Sequence, residues 1–191
     1  MVPAAPRAGR RAARGRVRPP PRRPGLHGGA PRIGHRDGGG DLARAPVAGC
    51  RVRPLGILRY EPVATAEFAA RWFPRGADAE ALSRAPLVDF DRRDDLQTQW
   101  LARRGVAAGD PPRHRVPASQ DFATAIELGL GWGLLPGFQS ADGLSAGALV
   151  RLADDAIDVP LYWQQWNLTS PLLDLVADEV VAEGRRRLAG V

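Results

Sequence analysis

Ser119-Gln-Asp-Phe-Ala-Thr-Ala-Ile-Glu-Leu-Gly-Leu-Gly-Trp-Gly-Leu-Leu-Pro136 decides the fold. Its pattern predicts a helix start, a short amphipathic helix, a glycine-rich stop and a buried strand that ends at proline. Ser119 has the side chain of an N-cap, a hydroxyl able to accept from an unpaired N–H of the first turn. Asp121 falls where the helix dipole favours negative charge. Phe122, Ile126 and Gly129 recur at helical spacing and give one face to a sheet. Gly129, Gly131 and Gly133 end the helix and admit a tight strand, Trp132 to Leu135.

Outward from this stretch the same alternation continues. Cys50 to Leu58 and Tyr60 to Ala64 read as strand, interrupted at Pro54 and Pro62. Thr65 caps a helix carrying Phe68, Trp72 and Phe73, which Pro74 stops. A short helix follows from about Asp78 to Arg84, then a strand from Leu87 to Phe90. Asp94-Asp95-Leu96-Gln97 has the spacing of a capping box before a helix with Leu96 and Trp100 one turn apart. Arg113 to Ala118 leads, as a strand, into the opening stretch. Beyond it, Gly137 to Gly147 is small and polar, and Ala148 to Leu152 is a strand. In the next strand Val159, Leu161 and Trp163 share one face. Ser170-Pro171 opens a last helix with Leu172, Val176 and Val180 on one stripe and Arg185 to Arg187 at its end. Strands alternating with helices predict an α/β fold with a mainly parallel sheet.

Charge divides the chain unevenly. Residues 1–40 hold ten arginines and one acid, Asp37, for about +9, so residues 41–191 sit near −3 within the overall +6. There is no lysine. Residues 1–42, rich in Arg, Pro, Gly and Ala, lack the apolar side chains needed to offset ordering entropy and are expected to be disordered. One reading is a basic arm for nucleic-acid phosphates. The favoured one is GC-rich DNA read out of frame or from a misplaced start, because ordered patterning begins abruptly near Asp41. Cys50 is a lone cysteine, which excludes an intramolecular disulfide and a multi-cysteine metal site. No apolar run nears the roughly 18–20 residues of a membrane span. No apolar segment follows the Arg pairs at 10–11 and 22–23 as an export signal requires. A cytoplasmic location is expected.

Several runs carry a family resemblance. They are the helix, glycines and proline of 119–136, Gly49-Cys50-Arg51-Val52 through Gly56, Arg59-Tyr60 through Ala64, Phe90-Asp91-Arg92 through Gln97, and Val159 to Gln164. Together they resemble the effector-binding domain of LysR-type transcriptional regulators, in the subgroup controlling basic amino-acid export (ArgP/LysG-like). That resemblance implies a periplasmic-binding-protein-like domain of two α/β lobes joined by crossing strands. Residues 43–191 would hold part of it: 57–159 as a complete second lobe, 160–191 as the return strand and C-terminal helix. Nothing in 1–42 has the periodicity of the family's winged helix-turn-helix. The chain therefore looks like the C-terminal part of a regulator, with DNA binding and homo-oligomerisation belonging to the parent.

The resemblance also implies lysine or arginine as effector, which calls for acceptors and a carboxylate. Asp91, Asp94 and Asp121 lie at strand ends or helix starts, where open α/β sheets bind ligands. Ser119 and Gln120 suit an α-carboxylate at a helix N-terminus. Trp163 on the return strand, with Gln164 and Trp166, would close over an aliphatic stem. Competing readings are plain: Asp94 as a helix cap, Trp163 as core. The glycine run 129–133 is no nucleotide loop, because that motif follows a strand and opens a helix, the reverse of the order here. His114 has no nucleophile or metal partner at useful spacing, and His27 and His35 lie in the tail. Asp154-Asp155 reads as a solvated loop pair. No cofactor, metal site or enzyme is expected. The other functional readings are a stand-alone solute-binding module and an inactive product of a disrupted gene.

Overall fold

Two long strands, one entering and one leaving, organise the computed structural model, which describes residues 32–33 and 48–188. Strand β2 (Cys50–Thr65) runs antiparallel to β7 (Ile157–Trp166), in register from Cys50 opposite Trp166 to Tyr60 opposite Ile157. The prolines that seemed to break β2 do not. The register slips between Pro54 and Gly56, a bulge that accommodates a residue without an N–H. Strand β1 (Arg32–Ile33) pairs with β7 at Gln164 and Trp163. It falls inside the stretch expected to lack structure, and the rest of 1–42, with His27 and His35, lies outside the described residues.

The far half of β2 is the centre of an α/β layer. β5 (Gly133–Pro136) pairs with one edge, while β6 (Leu149–Arg151) and β7 share the other. β3 (Leu87–Asp89) joins β5 through a parallel bridge, Leu87 to Trp132, and pairs in parallel with β4 (Arg113–Arg115). The sheet is therefore mixed. The expected parallel arrangement holds for β4, β3 and β5. The pairings of β2 are antiparallel, because this strand and its return must run in opposite directions.

Alternation along these strands sorts the core. Ala64, Leu87 and Leu134 face the cluster under α1 (Ala66–Trp72), α2 (Ala79–Arg84) and α3 (Leu96–Ala102). Their neighbours Val63, Val88 and Leu135 face α4 (Ser119–Glu127) and α5 (Gly137–Ser145). Thr65 Oγ1 accepts from Phe68 N–H as its position predicts, and Asp78 caps α2 in the same way.

The opening stretch folds largely as read. Gly129, at φ +76°, ends α4 with a Schellman pair: Leu130 N–H donates to Ala125 O and Gly129 N–H to Ile126 O. Gly131 is needed for close approach, since a Cβ there would lie 2.9 Å from the Pro86 carbonyl. One detail differs. The N-cap of α4 is Ala118, without a side-chain bond, and Ser119 is the first helical residue.

Three further expectations are corrected. Residues 137–145 form α5, a helix built of small residues and stabilised by packing rather than propensity: Ser140 is fully buried and Gly143 abuts Leu149. The last helix, α6 (Pro171–Arg187), begins at the Ser170 cap but buries a different stripe. Ala177 and Val181 pack on Leu55 and Trp163, flanked by Arg51–Asp174 and Arg53–Asp178 pairs, whereas Leu172 and Val176 face outward. Of the expected stripe, Val180 alone packs, half-buried, against the same cluster. Finally, Asp155 is paired: Arg104 bonds its carboxylate while stacking 3.5 Å from the Trp100 ring. Among the described residues no helix is long and apolar enough to cross a membrane.

The Arg104 hydrogen bond holds the Asp155 carboxyl below its ordinary range, against the opposing effect of burial. A depressed folded pKa adds stability above the unfolded value of about 3.9, and this is lost as pH falls through the folded one. Arg104→Gln should therefore flatten the acid limb of stability against pH. The effect is modest because Asp155 is half exposed. Urea titrations at pH 3 and pH 6 check this, and an unchanged difference between the two refutes it.

Candidate ligand cleft

Strands β3, β4 and β5 all run toward one end of the sheet, and the chain turns there into α3, α4 and α5. Those three helix starts surround a cleft of about 470 Å³. Its floor is Tyr60, the residue of β2 flanked by β5 on one side and β7 on the other. Asp91, Asp94 and Ser119 line its walls with Phe90 and Gln139.

The acidic wall is a self-bonded loop. Asp91 Oδ1 accepts from the N–H groups of Arg93 (2.6 Å) and Asp94 (3.0 Å), and Asp94 Oδ1 accepts from Leu96 N–H (3.1 Å). These bonds fix both carboxylates at the entry to α3. The expected capping box does not form. Asp95 is the N-cap residue and bonds Gln99 through its side chain, while Gln97 is buried and donates to Val88 O. Gln97 is taken by the core because its helix face lies against β3.

Opposite, Ser119 O accepts from Gln139 Nε2 at 3.4 Å, tying the starts of α4 and α5 together. Burial pushes the Tyr60 phenol above its ordinary value, and the nearby Asp94 carboxylate pushes it further. Tyr60 is thus a neutral hydroxyl at neutral pH, facing a wall that holds Asp91 and Asp94 with Arg93 between them in sequence. The arrangement offers carboxylates on one side, helix N-termini on the other, and aromatic surface between. No nucleophile–base pair lines it, and no cluster of metal-ligating side chains occurs among the described residues.

Of the six residues singled out from sequence, three come together here. Gln120 and Asp121 sit exposed on the first turn of α4 and do not line the cleft. Phe122, Ala123 and Ile126 form the buried face of the same helix. Trp163 belongs to the α6 packing: it is buried against Leu55, Ala177 and Val181, and its Nε1 donates to Gln165 Oε1 at 2.8 Å. Tyr60 and Gln139 are additions. Tyr60 carries a strand signal but no site signal, and Gln139 lies in the unrecognised helix.

Comparison with known proteins agrees with this geometry. No protein-family model matches the chain. The structure of the C-terminal domains of a LysR family protein from Agrobacterium tumefaciens is 40% identical, with a TM-score of 0.72, over 77% of this chain and 72% of that one. The chain belongs to the LysR family. Curated relatives at 42–44% identity carry the names LysG and ArgP. One is the lysine export transcriptional regulatory protein LysG of Corynebacterium efficiens, 44% identical over 146 residues, 75% of this chain and 49% of the relative. The full-length LysG of Corynebacterium glutamicum, solved with the effector Arg bound, is 37% identical with a TM-score of 0.68, covering 76% of this chain and 50% of that one. The chain thus spans about half the length of the curated relatives it matches. Those LysG and ArgP relatives are transcriptional regulators, not enzymes, and the chain shares the fold of the LysR-family C-terminal domains.

Proposed function

We propose that the cleft at the ends of β3, β4 and β5 is one wall of an effector site for a basic amino acid, and that the chain's regulator controls basic amino-acid export. One observation carries the reading: two fixed carboxylates and a helix N-terminus face each other across a cavity of small-molecule size, which Arg93 also lines. Asp91 and Asp94 would take the guanidinium or ammonium end, as charge-assisted acceptors. The start of α4 at Ser119 would take the α-carboxylate, helped by the helix dipole. Tyr60, neutral and half-buried, would lie along the aliphatic stem. Support also comes from the arginine held by the Corynebacterium glutamicum LysG and from the lysine-export role in the name of its Corynebacterium efficiens counterpart. DNA contact, homo-oligomerisation and cytoplasmic location are assigned, in this reading, to the whole regulator. Effector would act there by binding two arrangements of the domain with different affinity.

The test is thermal unfolding with and without millimolar arginine or lysine. A ligand that binds only the folded state raises the melting temperature. Asp94→Asn keeps the shape and removes the charge, so it should weaken arginine by about ten- to a hundredfold, the worth of a charge-assisted bond. Asp121→Ala should leave the affinity within about twofold, as expected for an exposed substitution away from the site. Equal losses in both variants would refute the placement.

A further inference from the structure

The cleft floored by Tyr60 is lined by three charged residues, Asp91, Arg93 and Asp94. The two aspartates are partly committed to their own loop. Asp91 Oδ1 accepts from the N–H groups of Arg93 and Asp94, and Asp94 Oδ1 accepts from Leu96 N–H. The bond from Arg93 N–H, at 2.6 Å, also fixes the Arg93 backbone in the cleft wall. Its guanidinium differs from those of other arginines in the fold. Arg59, Arg104 and Arg151 each meet a carboxylate, on Asp158, Asp155 and Glu61 respectively. Arg93 is exposed, and its side chain has no ion pair among the described residues.

A basic amino acid brings two cations, the α-ammonium and the side-chain end, and one carboxylate. The charges lining the cleft are the mirror image of that set: two carboxylates and one guanidinium. Each ligand charge that leaves water needs a partner of opposite sign, and a guanidinium holds a carboxylate by two parallel N–H···O bonds. We propose that Arg93 is the residue through which this cleft selects a free α-carboxylate. Its flexible stem carries the guanidinium over the carboxylate seated at the start of α4, while Ser119 and the helix dipole meet it from the other side. The favoured ligands are then free basic amino acids, and decarboxylated amines with the same cationic groups are rejected. This rests on the cleft being a basic amino-acid site, and it adds the residue that reads the carboxylate. An Arg93 that merely repelled cations from Asp91 and Asp94 would act on acid and amine alike, so the two roles differ in outcome.

Calorimetric titration of the full chain with L-arginine and with agmatine tests this, because the two differ in the carboxylate alone. The unaltered chain should bind arginine at least about tenfold more tightly than agmatine. Arg93→Ala should weaken arginine by about tenfold and leave agmatine within about twofold, so that most of the preference is lost. Arg93→Lys keeps the charge without the fork and should restore part of it. Arg93 is exposed on a loop, so the melting temperature of each variant without ligand should stay where it was. An arginine–agmatine preference that survives Arg93→Ala overturns the proposal and leaves the amino-acid site standing. So does an equal gain in affinity for both ligands, which is the mark of simple repulsion. Failure of the unaltered chain to bind arginine at millimolar concentration overturns both this role and the reading of the cleft on which it rests.

Discussion

Trp132→Ala is expected to lower the unfolding free energy by about 3–5 kcal/mol, the range for removing a buried aromatic from a packed core. Trp132 has no exposed surface and stands at the junction of the sheet and the helices. Its ring lies 5.2 Å from that of Trp100 at 53°, and its backbone joins β5 to β3, with Val88 N–H donating to Trp132 O at 2.8 Å. Truncation therefore empties the space under α3 and loosens the side of the cleft that carries Asp94. Trp132→Phe should cost clearly less than Trp132→Ala. It keeps most of the ring and discards an indole N–H that is buried without a partner. Leu128→Ala, at a side chain 80% exposed, is the control and should change stability by less than about 0.5 kcal/mol. Urea unfolding monitors all three. A loss below about 1 kcal/mol for Trp132→Ala would show that the pair of tryptophans does not anchor the core.

The parts of this molecule legible in its sequence are those fixed by local chemistry. The stop of α4 could be read because Gly129 must take a positive φ and Gly131 and Gly133 must admit neighbouring chain. The cap at Thr65 could be read because a short polar side chain precedes the helix, and the start at Ser170-Pro171 because proline suits a first helical position. Asp91 and Asp94 were found as cleft residues by a rule of topology, that ligands gather at the carboxyl ends of strands in open sheets, and Ser119 by its place at a helix N-terminus. What was not legible depends on packing between distant segments. Helix α5 has weak propensity and exists because Ser140 and Gly143 fit against β2 and β6, so Gln139 could not be placed. The phase of α6 follows its packing on Leu55, more than a hundred residues earlier, so the apolar stripe at Leu172 and Val176 misled. Gln120 and Asp121, exposed on the first turn of α4, do not line the cleft.

Arg113→Leu should destabilise the fold by about 3–5 kcal/mol, because Arg113 Nη1 donates to Asp89 Oδ2 at 2.8 Å and its loss leaves a buried carboxylate with no counter-charge. Asp89 closes β3 and is almost fully enclosed, so it cannot turn to water in compensation. The converse variant, Asp89→Leu, should cost less. Arg113 lies on β4, whose pairing among the described residues is with β3 alone, and its long side chain can carry the guanidinium outward. Asp89→Leu/Arg113→Leu together should recover most of the loss seen with Arg113→Leu, since two apolar groups leave nothing unsatisfied. A double variant as unstable as the sum of the singles would refute this account. The same pair of measurements separates folding from effector binding. The Asp91–Asp94 loop is held by its own bonds to Arg93, Asp94 and Leu96 backbone N–H groups, not by the ion pair. The arginine-dependent rise in melting temperature should therefore persist in the double variant.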